Sequence, residues 1–262
     1  MRRSWSGAVV KGVFLLLVGA YFLIPLWSML DYSTQVPGSA PGRTAEAWKK
    51  LVQDDTLFAT IVTSLTLSVI TVALMVLLLL PTMIWVRLRV PRAERLIEFI
   101  CLLPLAVPAL VIVVGIKNVM LWVTYFVGDT PYALALPYVV LVLPYSYRAL
   151  DSALSSIDAG TLAEAARSLG AGWGSVIVRI ILPNIVTGIL SAAFISIALV
   201  LGEYTFASLL NYPTLPVQIV QISQSEAQTS VAASLASIVL ISILLLGLSF
   251  FSRDRSGSPE GS

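Results

Sequence analysis

The chain has no histidine, a single cysteine (Cys101) and few charges: only 11% of its 262 residues are Asp, Glu, Lys or Arg. Without histidine there is no histidine-assisted nucleophile and no His/Cys zinc site, and one cysteine cannot close an intrachain disulfide. No Gly-Lys pair occurs, so the phosphate-cradling loop that holds ATP is missing as well. No paired carboxylates stand within a helical turn inside an apolar stretch; Asp54-Asp55 lies at the edge of one, where capping a helix start is the natural role. These absences exclude the motor and take most of the support from an enzyme, so no residue is singled out as catalytic or as a metal ligand. What the chain has in excess is apolar surface, with 58% hydrophobic residues and a mean hydropathy of +0.92. Soluble domains carry about 45–50% apolar and about 25% charged residues, so lipid is the solvent here. A net charge of +2 is too small to imply a polyanionic partner, which removes nucleic acid.

Crossing about 30 Å of hydrocarbon takes about 20 mostly apolar residues. Six stretches free of Asp, Glu, Lys and Arg meet that need: 12–30, 56–86, 99–116, 130–147, 180–202 and 227–252. The first resembles a signal peptide in following Arg2 and Arg3, but its apolar core exceeds the roughly 7–15 residues of such a segment, so it reads as a retained span. A seventh charge-free stretch within 204–226 carries Asn211, Pro213, Pro216, Gln218, Gln221 and Gln224, too many polar groups to face lipid, and reads as an outer loop. Residues 31–55 form another outer loop, helical around 45–52, and 253–262 form a Gly/Ser-rich, disordered cytoplasmic tail. Domain organisation is thus one six-span unit over 1–252. Twelve of the 16 Lys and Arg fall on one side of this layout, and Arg43, Lys49, Lys50 and Lys117 on the other. Positive charge stays inside, which places both termini in the cytoplasm.

The inner loop 148–183 is the informative segment. Thr161 and Glu164 fit a capping box at a helix start, and Gly170 and Gly172 can take the positive φ that ends one. A second amphipathic piece, 174–182, stops at Pro183. Within this loop Glu164-Ala165-Ala166, Gly170, Ile180 and Leu182-Pro183 match, in spacing, the EAA signature of ATP-binding-cassette (ABC) importer permeases. The chain is similar to that family along most of its length, and most similar to its spermidine/putrescine-type members. The resemblance implies an all-α polytopic type I importer fold in the bacterial inner membrane, with coupling helices between spans four and five. It makes Glu164, Ala165, Ala166, Gly170, Ile180, Leu182 and Pro183 the ATPase-coupling residues. Local physics alone also allows Glu164 merely to cap and Gly170 merely to terminate.

Other residues are candidates for a solute route. Glu203 closes the fifth stretch, where an acid is costly unless it meets water or a cavity. Either it is solvated at the interface or, beside Tyr204 and Phe206, it attracts an ammonium. The resemblance favours the second, since polyamine-type permeases carry acids after span five. Pro104 and Pro108, four apart in the third stretch, break or kink it, either for packing or to border the route. Pro137 and Pro144 with Tyr138, Tyr145 and Tyr147 admit the same two readings. Cys101 reads as a small buried hydrophobe.

The resemblance therefore implies an importer subunit that moves a small solute, a polyamine first, by alternating access. Iron(III), thiamine, sulfate or molybdate are the alternatives within the class, and a passive channel or scaffold is the alternative outside it. It also implies a second permease subunit, identical or distinct, two ATPase subunits that bind ATP and Mg, and an extracytoplasmic binding protein. This chain itself binds no cofactor.

Overall fold

A computed structural model describes residues 5–36 and 42–256, with side chains described for 10–36 and 42–247. Long apolar runs become long helices because a peptide group in hydrocarbon must find its hydrogen bond within its own segment. They are α1 (Trp5–Ser33), α3 (Asp55–Arg89), α5 (Ala109–Val127), α6 (Ala135–Ser155), α10 (Val186–Leu201) and α13 (Ala227–Ser256), joined by the shorter α2 (Glu46–Gln53), α4 (Glu94–Leu102), α7 (Ala159–Ser168), α8 (Trp173–Val176), α9 (Leu182–Asn184), α11 (Thr205–Leu209) and α12 (Leu215–Ser223). Among the described residues there is no strand, only one bridge between Gln35 and Arg43. Five helices are long and apolar enough to cross a bilayer. A sixth crossing is available if α10 is taken with the helical run Trp173–Asn184, from which it is bent by 73°.

Two compact units emerge. In the first, built from the chain up to Phe58 with Gln218–Leu240, Arg43 pairs with Asp31 and the Trp48 indole donates to Ser33 Oγ at 3.1 Å. Lys50 reaches Glu226 at 2.7 Å. Asp54 accepts from the backbone N–H groups of Thr56 and Leu57, the capping role its position implies. In the second, Ala59–Val217 with the chain from Ile241, α6 packs along α10 through small residues. Ser146, Ala149 and Ala153 on α6 face Gly188, Ala192 and Ser196 on α10, and the four-residue spacing on α10 is the small-xxx-small pattern that lets helices approach closely in lipid. A Cβ on Gly188 would lie 2.2 Å from that of Ala153. Ser196 Oγ donates to Ala192 O at 2.7 Å, so the 3.0 Å contact between the two buried hydroxyls has Ser146 as donor. The core extends from this seam to Met75, Leu79 and Ile84 on α3 and to Leu150 and Leu154 on α6. Arg87 fastens α3 to α6 at Asp151 (3.5 Å) and Ser155 (3.0 Å), and Arg148 fastens α6 to α4 at Glu98 (3.3 Å).

Several boundaries differ from the sequence reading. The third crossing is not 99–116. Helix α4 ends at Leu102, a 3-10 turn covers Leu103–Ala106, and α5 restarts after Pro108. Each proline lacks an N–H and sets its ring against the carbonyl four residues back; two within five residues end the helix here, whereas the single Pro81 and Pro144 stay inside α3 and α6. Val107, ahead of Pro108, takes the extended φ of −113° and ψ of 123°. Pro104 and Pro108 therefore mark a break and do not lie along one helical face, and Lys117, read as an outer-loop charge, stands inside α5. Helix α10 begins at Val186, inside the fifth apolar stretch, and its 16 residues make a crossing only together with the bent run Trp173–Asn184. The stretch around 204–226 folds into α11 and α12, separated by a turn at Asn211 (φ 60°), and neither helix is long enough to span. Helix α13 continues to Ser256, so the first residues of the expected tail are helical; 257–262 lie outside the described residues.

The seam at Gly188 gives a direct test. Gly188→Ala should lower the thermal midpoint of the detergent-solubilised chain by the equivalent of about 1–3 kcal/mol of overpacking. Adding Ala153→Gly, which removes the opposing methyl, should restore most of it.

Candidate functional site

The connection from α6 to α10 is built residue by residue around defined ends. Asp158 Oδ1 accepts from the backbone N–H of Thr161 at 3.0 Å, and Oδ2 accepts from the Thr161 hydroxyl at 2.7 Å. Asp158, not Thr161, is thus the cap, and α7 starts three residues earlier than the Thr/Glu box implies. The chain offers two caps three residues apart; a carboxylate outranks a threonine hydroxyl and takes the position. These hydrogen bonds, the backbone one foremost, hold the Asp158 carboxyl below its usual pKa. At the other end Gly170 has φ 86°. Its N–H donates to Arg167 O at 2.9 Å and the Ala171 N–H donates to Ala166 O at 3.0 Å, the paired bonds of a Schellman stop. Gly172 keeps a negative φ of −73° and opens the next helix instead of ending this one.

Helix α7 buries Ala159, Ala163 and Ala166 along one face and exposes Glu164 and Ala165; Gly170, just past its end, is exposed as well. Of the signature residues, then, Glu164, Ala165 and Gly170 are offered outward while Ala166 faces the core. The Glu164 carboxylate has no partner among the described residues. Beside it Leu169 is 90% exposed, an apolar side chain on a helix end too polar for lipid. Ile180 and Leu182 are half-buried and Pro183 is exposed. Residues Ile177–Ile181 are wound as a π-helix, which widens the backbone ahead of Pro183, whose missing N–H and ring would break an ordinary α-helix. The run continues past Pro183 to Asn184, where the Asn184 amide donates to Ile180 O at 2.7 Å, and turns at buried Ile185.

A stack absent from the sequence reading links this segment to a membrane helix. The guanidinium of Arg89, at the end of α3, lies 4.3 Å from the Trp173 ring centroid, and that of Arg167, in the last turn of α7, lies 4.6 Å away. Nothing in the local sequence pairs residues so far apart.

Glu203 and its neighbours form a separate cluster. Glu203 is 9% exposed, and its carboxylate receives the Thr205 N–H at 2.7 Å, the Phe206 N–H at 3.1 Å and the Tyr138 hydroxyl at 2.9 Å. It caps α11 and ties it to α6, where the rings of Tyr138 and Phe206 meet edge to face at 5.9 Å. Phe206 is fully buried and Tyr204 is exposed. Cys101 is buried, as its apolar surroundings imply. Among the described residues no group of His, Cys, Asp and Glu is placed to hold a metal.

Two outcomes follow from these caps. Because the folded Asp158 pKa is lowered, its contribution is present at neutral pH and fades as pH falls through that lowered value. Amide exchange in α7 should therefore quicken in Asp158→Ala at neutral pH, while Asp158→Asn, an equally good cap without a titrating group, should stay protected under acid. Glu203→Gln, which surrenders one acceptor oxygen, should cost about 1–3 kcal/mol of stability and depress uptake of any solute in parallel; a loss confined to cations would instead place Glu203 in the route.

Residues 80–255 match the family described as binding-protein-dependent transport system inner membrane component. The chain is 24% identical over 246 residues to the spermidine/putrescine transport system permease protein PotC of Haemophilus influenzae, covering 92% of this chain and 95% of that one. Its fold is similar to a bacterial ABC transporter involved in import of the acidic polysaccharide alginate (TM-score 0.65, 14% identity, 94% of this chain and 95% of that one). A second structure, of a bacterial alginate transporter in complex with its pentasaccharide-bound periplasmic protein, gives a TM-score of 0.62 at 19% identity over 98% of both chains.

Proposed function

Since the chain belongs to the family of binding-protein-dependent transport system inner membrane components, a permease subunit of an ABC importer, we propose that the segment Ala159–Asn184 is the handle by which a separate ATPase moves it. The observation that carries this reading is the exposed edge of α7, where Glu164, Ala165, Leu169 and Gly170 stand out from a helix fixed at both ends. A helix of 10 residues is marginal in water alone, and a partner surface would stabilise its outward edge. Ile180, Leu182 and Pro183 complete the handle. The excess of arginine at the ends of α3 and α6 and in this segment supports a cytoplasmic placement for it, with both termini on that side.

Such a subunit would pair with a second permease, identical or distinct. ATP and Mg would sit on two ATPase chains, whose closure draws the handles together and opens the route to a docked binding protein; hydrolysis resets it. Pro104, Pro108, Glu203 and Tyr204 remain the candidates for bordering that route; Phe206, fully buried against Tyr138, does not. As to the solute, the relative named for spermidine and putrescine supports a polyamine as the first candidate. A second reading, a solute with an anionic group, is favoured by Lys117 in the middle of α5.

Gly170→Val tests the handle. Valine at a φ of 86° carries roughly 1–2 kcal/mol of left-handed strain, so the variant should insert and co-purify with an ATPase yet lose about tenfold in uptake relative to ATP hydrolysed. Unchanged coupling would contradict the reading, and purification with no ATPase attached would favour a passive channel. Titrating the cognate binding protein with spermidine addresses the solute separately.

A further inference from the structure

Lys117 lies about midway along the 19 residues of α5, about 12 Å from its start by the helical rise. Long basic side chains near helix ends reach the interface, but one at mid-helix cannot easily do so and needs water or an anion. The Lys117 side chain is exposed and has no hydrogen-bond or ion-pair partner among the described residues. Residues 117, 120, 121, 124 and 125 recur at helical spacing, and with Asp129 and Tyr212 they line an open groove of about 490 Å³, within the range of small-molecule clefts. Most of the polar side chains are spread along this one face: Lys117, Thr124 and Tyr125, then Asp129 at the far end. Asp129 is already engaged, accepting from the Tyr212 hydroxyl at 2.8 Å. Burial, and next the Asp129 carboxylate, push the Tyr212 phenol up to about 12, so it remains a donor at neutral pH. Asp129 lies past the end of α5 at Val127, beyond the break at Gly128 (φ 95°), is engaged by Tyr212, and forms no ion pair with Lys117. The groove thus presents one uncompensated ammonium at mid-helix.

We propose that Lys117 lines a water-filled solute path and that the solute carries an anionic group, a carboxylate, phosphate, phosphonate or sulfate, which this ammonium meets on the way across. The inference rests on the importer reading and takes the second of its two solute readings against the polyamine: at this point a pure polycation is repelled and an anion-bearing molecule is drawn in.

The test works whatever the solute proves to be. In the whole importer reconstituted in vesicles, with C101S removing the native thiol, Leu121→Cys places a thiol one turn from Lys117 on the same face. Labelling of this chain, read by mass shift, is compared for two membrane-impermeant thiosulfonates of similar size, the anionic sulfonatoethyl and the cationic trimethylammonium-ethyl reagent. The expected result is preference for the anionic reagent, with the anionic-to-cationic rate ratio falling about tenfold on adding Lys117→Gln and surviving Lys117→Arg. Val119→Cys, at the same depth on another face, should label slowly with both. The proposal is overturned if Leu121→Cys reacts no faster than Val119→Cys, which would mean that lipid or the partner subunit seals the face, or if the ratio ignores Lys117→Gln. Repeating the labelling with ATP separates the two levels: a charge preference that stands while nucleotide has no effect would count against the importer reading and leave Lys117 in a water-filled path.

Discussion

A peptide group in hydrocarbon has no water to fall back on, so wherever this chain departs from an α-helix it must satisfy the freed groups from within. That constraint shapes the molecule more than any single contact. At the break between α4 and α5 a 3-10 turn takes over between the prolines. Past Asn211 the Tyr212 N–H returns to Ala207 O at 2.9 Å, and the Glu203 carboxylate takes the first donors of α11. Ahead of Pro183 the backbone widens into a π-turn and the Asn184 side chain covers a carbonyl. Each irregularity has a partner in hand, which is why short helices can sit between long ones without unravelling.

The same economy gives the α7 segment its character. It owes little to apolar burial, which is limited to three alanines, and much to its ends: a carboxylate cap at Asp158, a left-handed glycine stop, and a tryptophan held by two guanidiniums. A helix fixed at its ends and bare along one edge keeps its shape while it is pushed. Its Arg167 and the α3 residue Arg89 share Trp173, so a displacement of this segment, if it is the proposed handle, would reach α3 through one ring.

Much of this is legible in the residues. The long apolar runs, the helix near 45–52 and the glycine stop at Gly170 all have local causes, and local causes can be read from one sequence. What escapes such reading depends on competition or on distance. Asp158 prevails over Thr161 because both are eligible and the stronger acceptor wins. The register of α5 is hidden because charge is an unreliable punctuation mark: Lys117 looks like a boundary and is an interior residue, whereas the prolines look like a kink and are the true boundary. Gly188 carries no local mark of its contact with Ala153, which lies 35 positions earlier. Likewise the donors that surround Glu203 include Tyr138, from another helix entirely.

The fit of Gly188 on Ala153 has a mechanical corollary. Two rods in contact with no space for another carbon resist sliding past one another at that crossing, which favours pivoting of α6 and α10 about it. Only a few residues away the chain turns an elbow of 73° at Ile185. On the proposed coupling role the contact would be a fulcrum and the run Trp173–Asn184 a lever arm beside it, and a push on the arm would reach α10 as rotation more than as shear.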